Sequence, residues 1–338
     1  MGTALPRRDF PPLSDHKDDL ARRIEEWHWF HSIDLGDGLV TKGHPPSPTI
    51  AEAFPDVAGR SVLDIGAWDG KYSFEAERAG AGRVVALDHY IWRLDHQGRQ
   101  AYYERCEAEG VLPDAEMIDR GFLMDALPGR TGFDLAREYL DSKVEPVVDD
   151  FMTMDLDRLG RFDVVLYFGV LYHMADPLGA LRRLRQVTGE LAVIETSAVH
   201  IPGYEDFSLT EFFAGNELHA DYGNWFAPNG AALVGMCRAA GFRRVELKAH
   251  SPLPAPEPDP PPAGPSEARR SEARRSEARR SEGRRSARRL SEGRLSAGRP
   301  GRWRRRGRPS PEPTGGGAPH PAARPAPVPY RLVAHAHV

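Results

Sequence analysis

Between residues 61 and 250, short and nearly continuous apolar runs alternate with longer stretches in which apolar side chains return every third or fourth position. The runs predict strands over 61–66, 83–88, 144–148, 162–168, 190–197 and 242–249. The periodic stretches predict helices over 71–80, 93–109, 177–187 and 228–240. Such alternation specifies an α/β fold, a doubly wound and mostly parallel Rossmann-like sheet, because parallel neighbours need a crossover long enough to hold a helix. Upstream, Leu20, Ile24, Trp27 and Phe30 lie near helical spacing and predict an amphipathic helix within 17–30. Residues 1–16 are polar and Pro-rich and are expected to be disordered. The run from Trp27 to Gly43 mixes aromatics, histidines, acids and glycines; it reads either as a strap over a sheet edge or as a substrate-facing lid. Two excursions interrupt the alternation. Residues 110–142 predict a loop and a short helix, and 198–227 predicts a cap above the carboxyl ends of the strands, where open α/β sheets bind ligands.

The segment 252–328 differs in kind. It opens Pro-rich, carries three copies of Ser-Glu-Ala-Arg-Arg at 266–280 and decays into Gly and Pro, a composition that cannot bury a core and predicts disorder. An apolar run at 329–338 then predicts a final strand, which makes 252–328 an insertion before it. Closing so long a loop is tolerable because its cost grows only with the logarithm of length. Charge changes the picture further. The whole chain has a net charge of −4, yet residues 266–308 hold 17 Arg and 5 Glu. That segment carries +12, leaving −16 on the other 295 residues. An acidic body repels a phosphate backbone, so an RNA partner would have to engage the Arg-rich insertion. Cys106 and Cys237 have neither metal spacing nor a disulfide framework, and no metal is expected. With no long apolar segment and no N-terminal signal pattern, the expectation is a cytoplasmic protein without membrane contact. The pattern leaves the oligomeric state open.

The strongest chemistry lies in Ser-Val-Leu-Asp-Ile-Gly-Ala-Trp-Asp-Gly at 61–70, followed by Arg-Val-Val-Ala-Leu-Asp at 83–88. Gly66 and Gly70 let backbone approach a ligand where a Cβ would intrude, and the helix starting near Lys71 offers unpaired N–H groups. Asp88, at the carboxyl end of the second strand, is placed to accept ribose hydroxyls. The Gly-x-x-x-Gly spacing is not that of a pyrophosphate binder. It favours S-adenosylmethionine, which has no phosphate to cradle.

A second signature, Phe-Asp-Val-Val-Leu-Tyr-Phe-Gly-Val-Leu-Tyr-His-Met-Ala-Asp-Pro-Leu, spans 162–178. Its strand delivers Leu171, Tyr172 and His173 to the ligand edge and stops at Asp176-Pro177, a helix start. Taken together, the two signatures resemble a class I S-adenosylmethionine-dependent methyltransferase, and more narrowly the branch that contains the tRNA wobble-uridine carboxymethyltransferase. The resemblance covers about 27–250 and the last strand. It implies a seven-stranded sheet with S-adenosylmethionine as cofactor. Asp64, Gly66 and Gly70 would form the cofactor turn, with Gly66 along the methionine portion. Asp88, His89 and Tyr90 would hold the ribose and adenine edge, and Asp150 and Phe151 would flank the adenine. Phe168 and Tyr172 would approach the sulfonium, and Lys42 falls where that branch has a lysine near the transferred carboxylate.

The chain also departs from that branch. Asp37 stands where the branch has a tryptophan, and the sequence shows no counterpart of the arginine that binds the carboxylate of the carboxylated donor. The expectation is therefore plain methyl transfer to a small polar acceptor, such as a sugar or natural-product hydroxyl. The alternative is a methyl- or carboxymethyltransferase of the tRNA wobble uridine, and a further one is a non-catalytic methyltransferase-like scaffold. A hydroxyl acceptor benefits from a base, and His173, with Tyr172 beside it, is the first candidate for the catalytic pair. His31 and His89 are secondary candidates. His200 and His219 fall on the cap, Trp225 and Phe226 pack or stack there, and His335 and His337 alternate on the last strand as surface or edge residues.

Overall fold

The computed structural model describes residues 13–251 and 327–338, with side chains from residue 16 onward. Residues 1–12 and 252–326 lie outside the described residues, and with them nearly all of the predicted disordered segments.

The apolar runs become the strands of one seven-stranded sheet. In chain order these are β3 (Ser61–Ile65), β4 (Arg83–Asp88), β5 (Glu145–Val148), β6 (Phe162–Phe168), β7 (Thr188–His200), β10 (Arg244–His250) and β11 (Val328–His337). Their spatial order is β10-β11-β7-β6-β3-β4-β5. β3, β4, β5, β6 and β7 run parallel. β11 is antiparallel to both neighbours, pairing from Val328 opposite His200 to His337 opposite Leu191 on one side and with β10 on the other. The strand after the insertion is thus an interior strand. Two short pairs stand apart: β1 (Asp34–Gly36) with β2 (Leu39–Val40), and β8 (Thr210–Phe212) with β9 (Phe226–Pro228) in the cap.

Helices cover both faces, as a parallel sheet requires. They are α1 (Leu13–Glu26), α2 (Pro48–Ala53), α3 (Lys71–Arg78), α4 (Tyr90–Arg93), α5 (His96–Glu109), α6 (Ala115–Arg120), α7 (Thr131–Tyr139), α8 (Pro177–Val187) and α9 (Gly230–Ala239). One face of the sheet buries Trp92, Phe133 and Phe74; the other buries Tyr167, Leu171, Leu184 and Cys237. Both cysteines are free and buried. Among the described residues no helix is long and apolar enough to cross a membrane.

Several boundaries differ from the sequence expectation, each for a local reason. The helix expected over 93–109 starts at His96, after the short α4 that ends at Arg93, because Asp95 leaves helical geometry and its carboxylate accepts the Gly98 N–H (3.0 Å). The loop and short helix expected over 110–142 are two helices, α6 and α7, and α7 buries Phe133, Leu135 and Ala136. The N-terminal helix begins at Leu13 and stops at Glu26. Beyond it Trp29 donates its indole N–H back to the Ile24 carbonyl (2.8 Å), and residues 30–33 pair with 41–44 instead of continuing the helix.

Candidate active site

β3 runs into a tight turn, Gly66 to Gly70, that opens α3. Both glycines take positive φ, +78° and +85°. A Cβ built on Gly66 would lie 2.5 Å from Val170 Cγ2, so this turn packs directly on the one that follows β6. Trp68, between them, also has positive φ (50°), a strained setting for a bulky side chain. Three contacts hold it. Its N–H donates to Asp88 Oδ2 (3.0 Å), its carbonyl accepts from Trp92 Nε1 (2.5 Å), and its ring stacks on Phe30 at 3.8 Å. Asp69 next to it accepts from the His31 backbone N–H (2.8 Å) and meets His31 Nδ1 at 2.5 Å. The segment containing Phe30 and His31 therefore lies on the glycine turn.

Two carboxylates lie beneath. Asp64 is buried and accepts the Ser73 hydroxyl (2.6 Å); burial pushes its carboxyl up to about 6. Burial also lifts Asp88 to about 6, against the opposing pull of backbone N–H groups. Asp88 accepts from Trp68, from Ile91 (3.0 Å) and from Trp92 (3.4 Å). A carboxylate offers about four acceptor positions, so roughly one remains for an outside hydroxyl. His89 caps α4, and its half-burial lowers its pKa. The Tyr90 hydroxyl donates to the Ile118 carbonyl (2.7 Å) and accepts from Arg99 (3.1 Å), tying α4 to α6. Asp150 accepts from Met152 N–H (2.8 Å) and the Thr153 hydroxyl (3.0 Å). Phe151 is buried near Tyr167, and Lys42 is exposed on the strap.

β6 delivers the second cluster. Phe168 is buried edge-on to Tyr72, ring centroids 4.9 Å apart. Gly169 (φ 69°) donates its N–H to Glu195 Oε2 at 2.9 Å. Tyr172 is buried on a short turn, with the Arg331 guanidinium 5.0 Å over its ring and Arg331 Nη2 3.5 Å from its hydroxyl. Glu195, itself buried, pairs with Arg331 at 3.3 Å. His173 Nδ1 lies 2.8 Å from the Gly223 carbonyl. A carbonyl only accepts, so Nδ1 carries the proton and Nε2 keeps its lone pair. Burial lowers the His173 pKa, which keeps the ring neutral at pH 7. His219 meets Ser197 Oγ (2.9 Å), His200 meets Glu205 (3.6 Å), and His335 donates to the Ala53 carbonyl (2.7 Å).

The structure thus brings Asp64, Gly66, Gly70 and Asp88 to one edge of the sheet and sets Phe168, Tyr172 and His173 beside them. Sequence reasoning named His31 but missed its partner Asp69, and it missed Arg331. Asp69 carried a signal, an acid inside a glycine turn. Arg331 carried none, since only the sheet topology joins it to Tyr172 159 residues away. The Cβ positions of Gly66 and Gly70 are filled by Val170 and by Phe74 and Phe133, not left for a ligand as expected, so the fit to a nucleoside donor without phosphates rests on the α3 N-terminus and the remaining acceptor position on Asp88.

Residues 43–247 match the family model of a methyltransferase domain. The chain is 28% identical over 194 residues, 56% of its own length and 47% of the relative's, to a protein of Pseudomonas savastanoi pv. phaseolicola named tRNA U34 carboxymethyltransferase. It is 31% identical over 97 residues, 28% of this chain and 32% of the other, to one of the same name from Campylobacter jejuni subsp. jejuni. The chain spans about half the length of the Pseudomonas relatives it matches. Among solved structures it resembles the N-terminal domain of EvdMO1 with SAH bound, at 19% identity and a TM-score of 0.42, covering 70% of this chain and 90% of that one.

Proposed function

The chain belongs to the methyltransferase-domain family, and from that premise we propose that it methylates a hydroxyl of a small polar acceptor, with His173 as the base. S-adenosylmethionine, when bound, supplies a methyl carbon activated by a sulfonium. The residues that would hold it are the Gly66–Gly70 turn and Asp64 for the methionine portion and Asp88 for the ribose. His89, Tyr90, Asp150 and Phe151 would border the adenine, while Phe168 and Tyr172 close off the reactive end. Placing the acceptor and excluding water there supply most of the rate in an in-line displacement.

What His173 does follows from its tautomer. The Gly223 carbonyl holds the proton on Nδ1, so Nε2 is free to take the acceptor's hydroxyl proton. The lowered pKa keeps that lone pair available at neutral pH. This fixed, neutral tautomer at the ligand edge is the observation that carries the reading, and it disfavours the non-catalytic scaffold. The test uses the purified full chain with methyl-labelled S-adenosylmethionine and two acceptor pools, a deproteinised metabolite fraction and deproteinised tRNA. Label in the metabolite fraction supports the proposal. Label in neither pool overturns the catalytic reading.

A second reading, methyl or carboxymethyl transfer to a tRNA wobble uridine, is favoured by the names of the relatives and by Arg331, a cation at Tyr172. Glu195 matches that charge, which keeps an uncharged methyl as the first reading. Native mass spectrometry of the purified chain separates the two: a carboxylated nucleoside carried through purification selects the tRNA reading. For the cellular setting we propose a reducing cytoplasm, in keeping with two buried free thiols.

A further inference from the structure

Among the described residues, four buried side-chain polar atoms have no hydrogen-bond partner: Tyr103 Oη, Tyr167 Oη, Asn224 Oδ1 and Trp225 Nε1. Tyr167 stands alone within β6. Of the other three, Tyr103 and Trp225 share one cluster at the seam between α5 and the cap, and Asn224 precedes Trp225 in the chain. Tyr103 packs with Tyr222 and Ile118, ring centroids of the two tyrosines 5.0 Å apart, and Trp225 packs against the same cluster. Asn224 sits between Trp225 and Gly223, whose carbonyl fixes His173. Its amide nitrogen donates to the Leu218 carbonyl (2.6 Å), which sets the amide's orientation and leaves Oδ1 unpaired. The Trp225 backbone N–H donates to the Tyr172 carbonyl (2.8 Å). A Cβ built on Gly223 would lie 3.6 Å from Ile118 Cγ2 and 3.9 Å from His173 Nδ1, so the seam adjoins the candidate base.

Native proteins partner more than about nine in ten buried polar groups. Three unpartnered ones in a single seam are a hydrogen-bonding set offered to something other than the protein. The set is chemically specific: a phenol that donates or accepts, an indole N–H that donates and an amide oxygen that accepts. Charge narrows it further. No Lys or Arg occurs between residues 186 and 237, a stretch that holds seven acidic residues. The nearby cation Arg99 is already engaged by Tyr90 (3.1 Å) and Asp221 (4.0 Å). Opening the seam releases Arg99 together with Asp221 and Glu107, two carboxylates against one guanidinium, so an anionic acceptor would meet net negative charge in this wall. The rings of Tyr103, Tyr222 and Trp225 supply flat apolar faces suited to the C–H side of a ring.

We propose that the seam between α5 and the cap is the acceptor subsite, and that it takes a neutral, polyhydroxylated molecule of the sugar class. This rests on the hydroxyl-methylation reading and names its substrate class. Two light contacts shut the seam: Tyr222 Oη to Glu107 (3.2 Å) and Arg99 to Asp221. Binding parts α5 from the cap, and the ligand's hydroxyls then satisfy the three atoms of the seam that adjoins His173.

The test uses Tyr103→Phe and Trp225→Phe, each of which deletes a polar atom and keeps a ring. Methyl transfer at saturating donor is measured on a panel of neutral sugars (glucose, galactose, xylose and their methyl glycosides), on their phosphates and on tRNA. Affinity for S-adenosylhomocysteine and the melting temperature are read in parallel. The expected result is a neutral sugar as acceptor, KM raised about tenfold in each variant, and kcat and S-adenosylhomocysteine affinity within twofold of wild type. Tyr103→Phe should hold or raise the melting temperature, since it removes an unpartnered buried hydroxyl. If a hydroxyl acceptor is found but neither KM moves, or Tyr103→Phe melts several degrees lower, the subsite is wrong and the hydroxyl reading stands. Label only in phosphates or tRNA overturns the subsite as well. No label on any acceptor, with S-adenosylhomocysteine still bound, removes both.

Discussion

Gly70 and Gly80 bracket α3 and take almost the same backbone conformation, φ +85° and +87°, in very different surroundings. Alanine at either must adopt a left-handed conformation, at about 1 kcal/mol. At Gly80 that is the whole effect, since a built Cβ meets nothing within 4 Å. At Gly70 the same Cβ would lie 2.5 Å from Phe74 Cε2 and 2.7 Å from Phe133 Cδ2. Those rings are stacked and buried, Phe133 completely, so neither can swing aside without disturbing the core. Overpacking of this kind adds about 1–3 kcal/mol, which brings Gly70→Ala to about 3 kcal/mol. The gain from stiffening the unfolded chain is common to both variants and cancels in the comparison. At about 2–4 °C per kcal/mol for a domain of this size, the difference of about 2 kcal/mol should make Gly70→Ala melt roughly 4–8 °C below Gly80→Ala. Thermal unfolding followed by circular dichroism at 222 nm measures both. Equal shifts in the two variants would refute the reasoning, because the rings around Gly70 would then be free to move.

Replacing His173 by Gln should lower kcat by about 10²–10⁴-fold with affinity for S-adenosylhomocysteine unchanged. The depressed His173 pKa puts the acid limb of kcat below pH 6.5, activity falling as pH drops through it; a limb above that pH excludes this base. His31→Ala and Phe30→Ala release the strap from Asp69 and Trp68 and should weaken S-adenosylhomocysteine binding several-fold by calorimetry, whereas unchanged affinity would mean the strap does not shape the donor turn. Asp64 has a folded pKa raised to about 6 from 3.8. Its protonated form is therefore favoured by folding, with no contribution below pH 3.8 and a growing destabilisation up to pH 6, reaching about 3 kcal/mol. Urea unfolding of Asp64→Asn should accordingly show its stability relative to wild type rising between pH 4 and pH 7, and a flat difference would contradict the burial argument.

The strands and the glycine turn were legible because their signals are local. The four buried residues before Gly66, Val62 to Ile65, read as a strand whichever partners they find, and positive φ at Gly66 and Gly70 follows from the need to turn sharply into α3. The helix over 93–109 misread because Asp95 has the composition of a helix residue but the geometry of a cap, and periodicity cannot tell the two apart. In 110–142 the helices are short and polar outside, so their apolar positions, Ile118 and Phe133 among them, are too few to set a period. The proximity of the candidate residues was legible where it stays within one segment, as with Tyr172 and His173. It was not legible where the sheet supplies the meeting point. Glu195 and Arg331 come from strands that pair across the insertion, and His31 reaches Asp69 by the fold of the strap alone. Asp88 was legible as the acid ending β4, but not the backbone N–H groups that occupy most of its carboxylate, since those come from a turn whose path no local pattern reveals.

The interior position of β11 also sets a timetable for biosynthesis. β7 and β10 emerge from the ribosome first, and each has an unmatched hydrogen-bonding edge until residues 328–337 follow to bridge them. At about 5–20 residues per second, translating the intervening segment leaves those edges waiting for roughly 4–15 s. The nascent chain therefore carries a finished glycine turn and an open sheet through that interval, exposed to chaperones and to its own neighbours on the polysome. A message truncated anywhere in that segment would yield a polypeptide that keeps every signature of the donor site and still cannot close its sheet, a product fit for degradation and not for methylation.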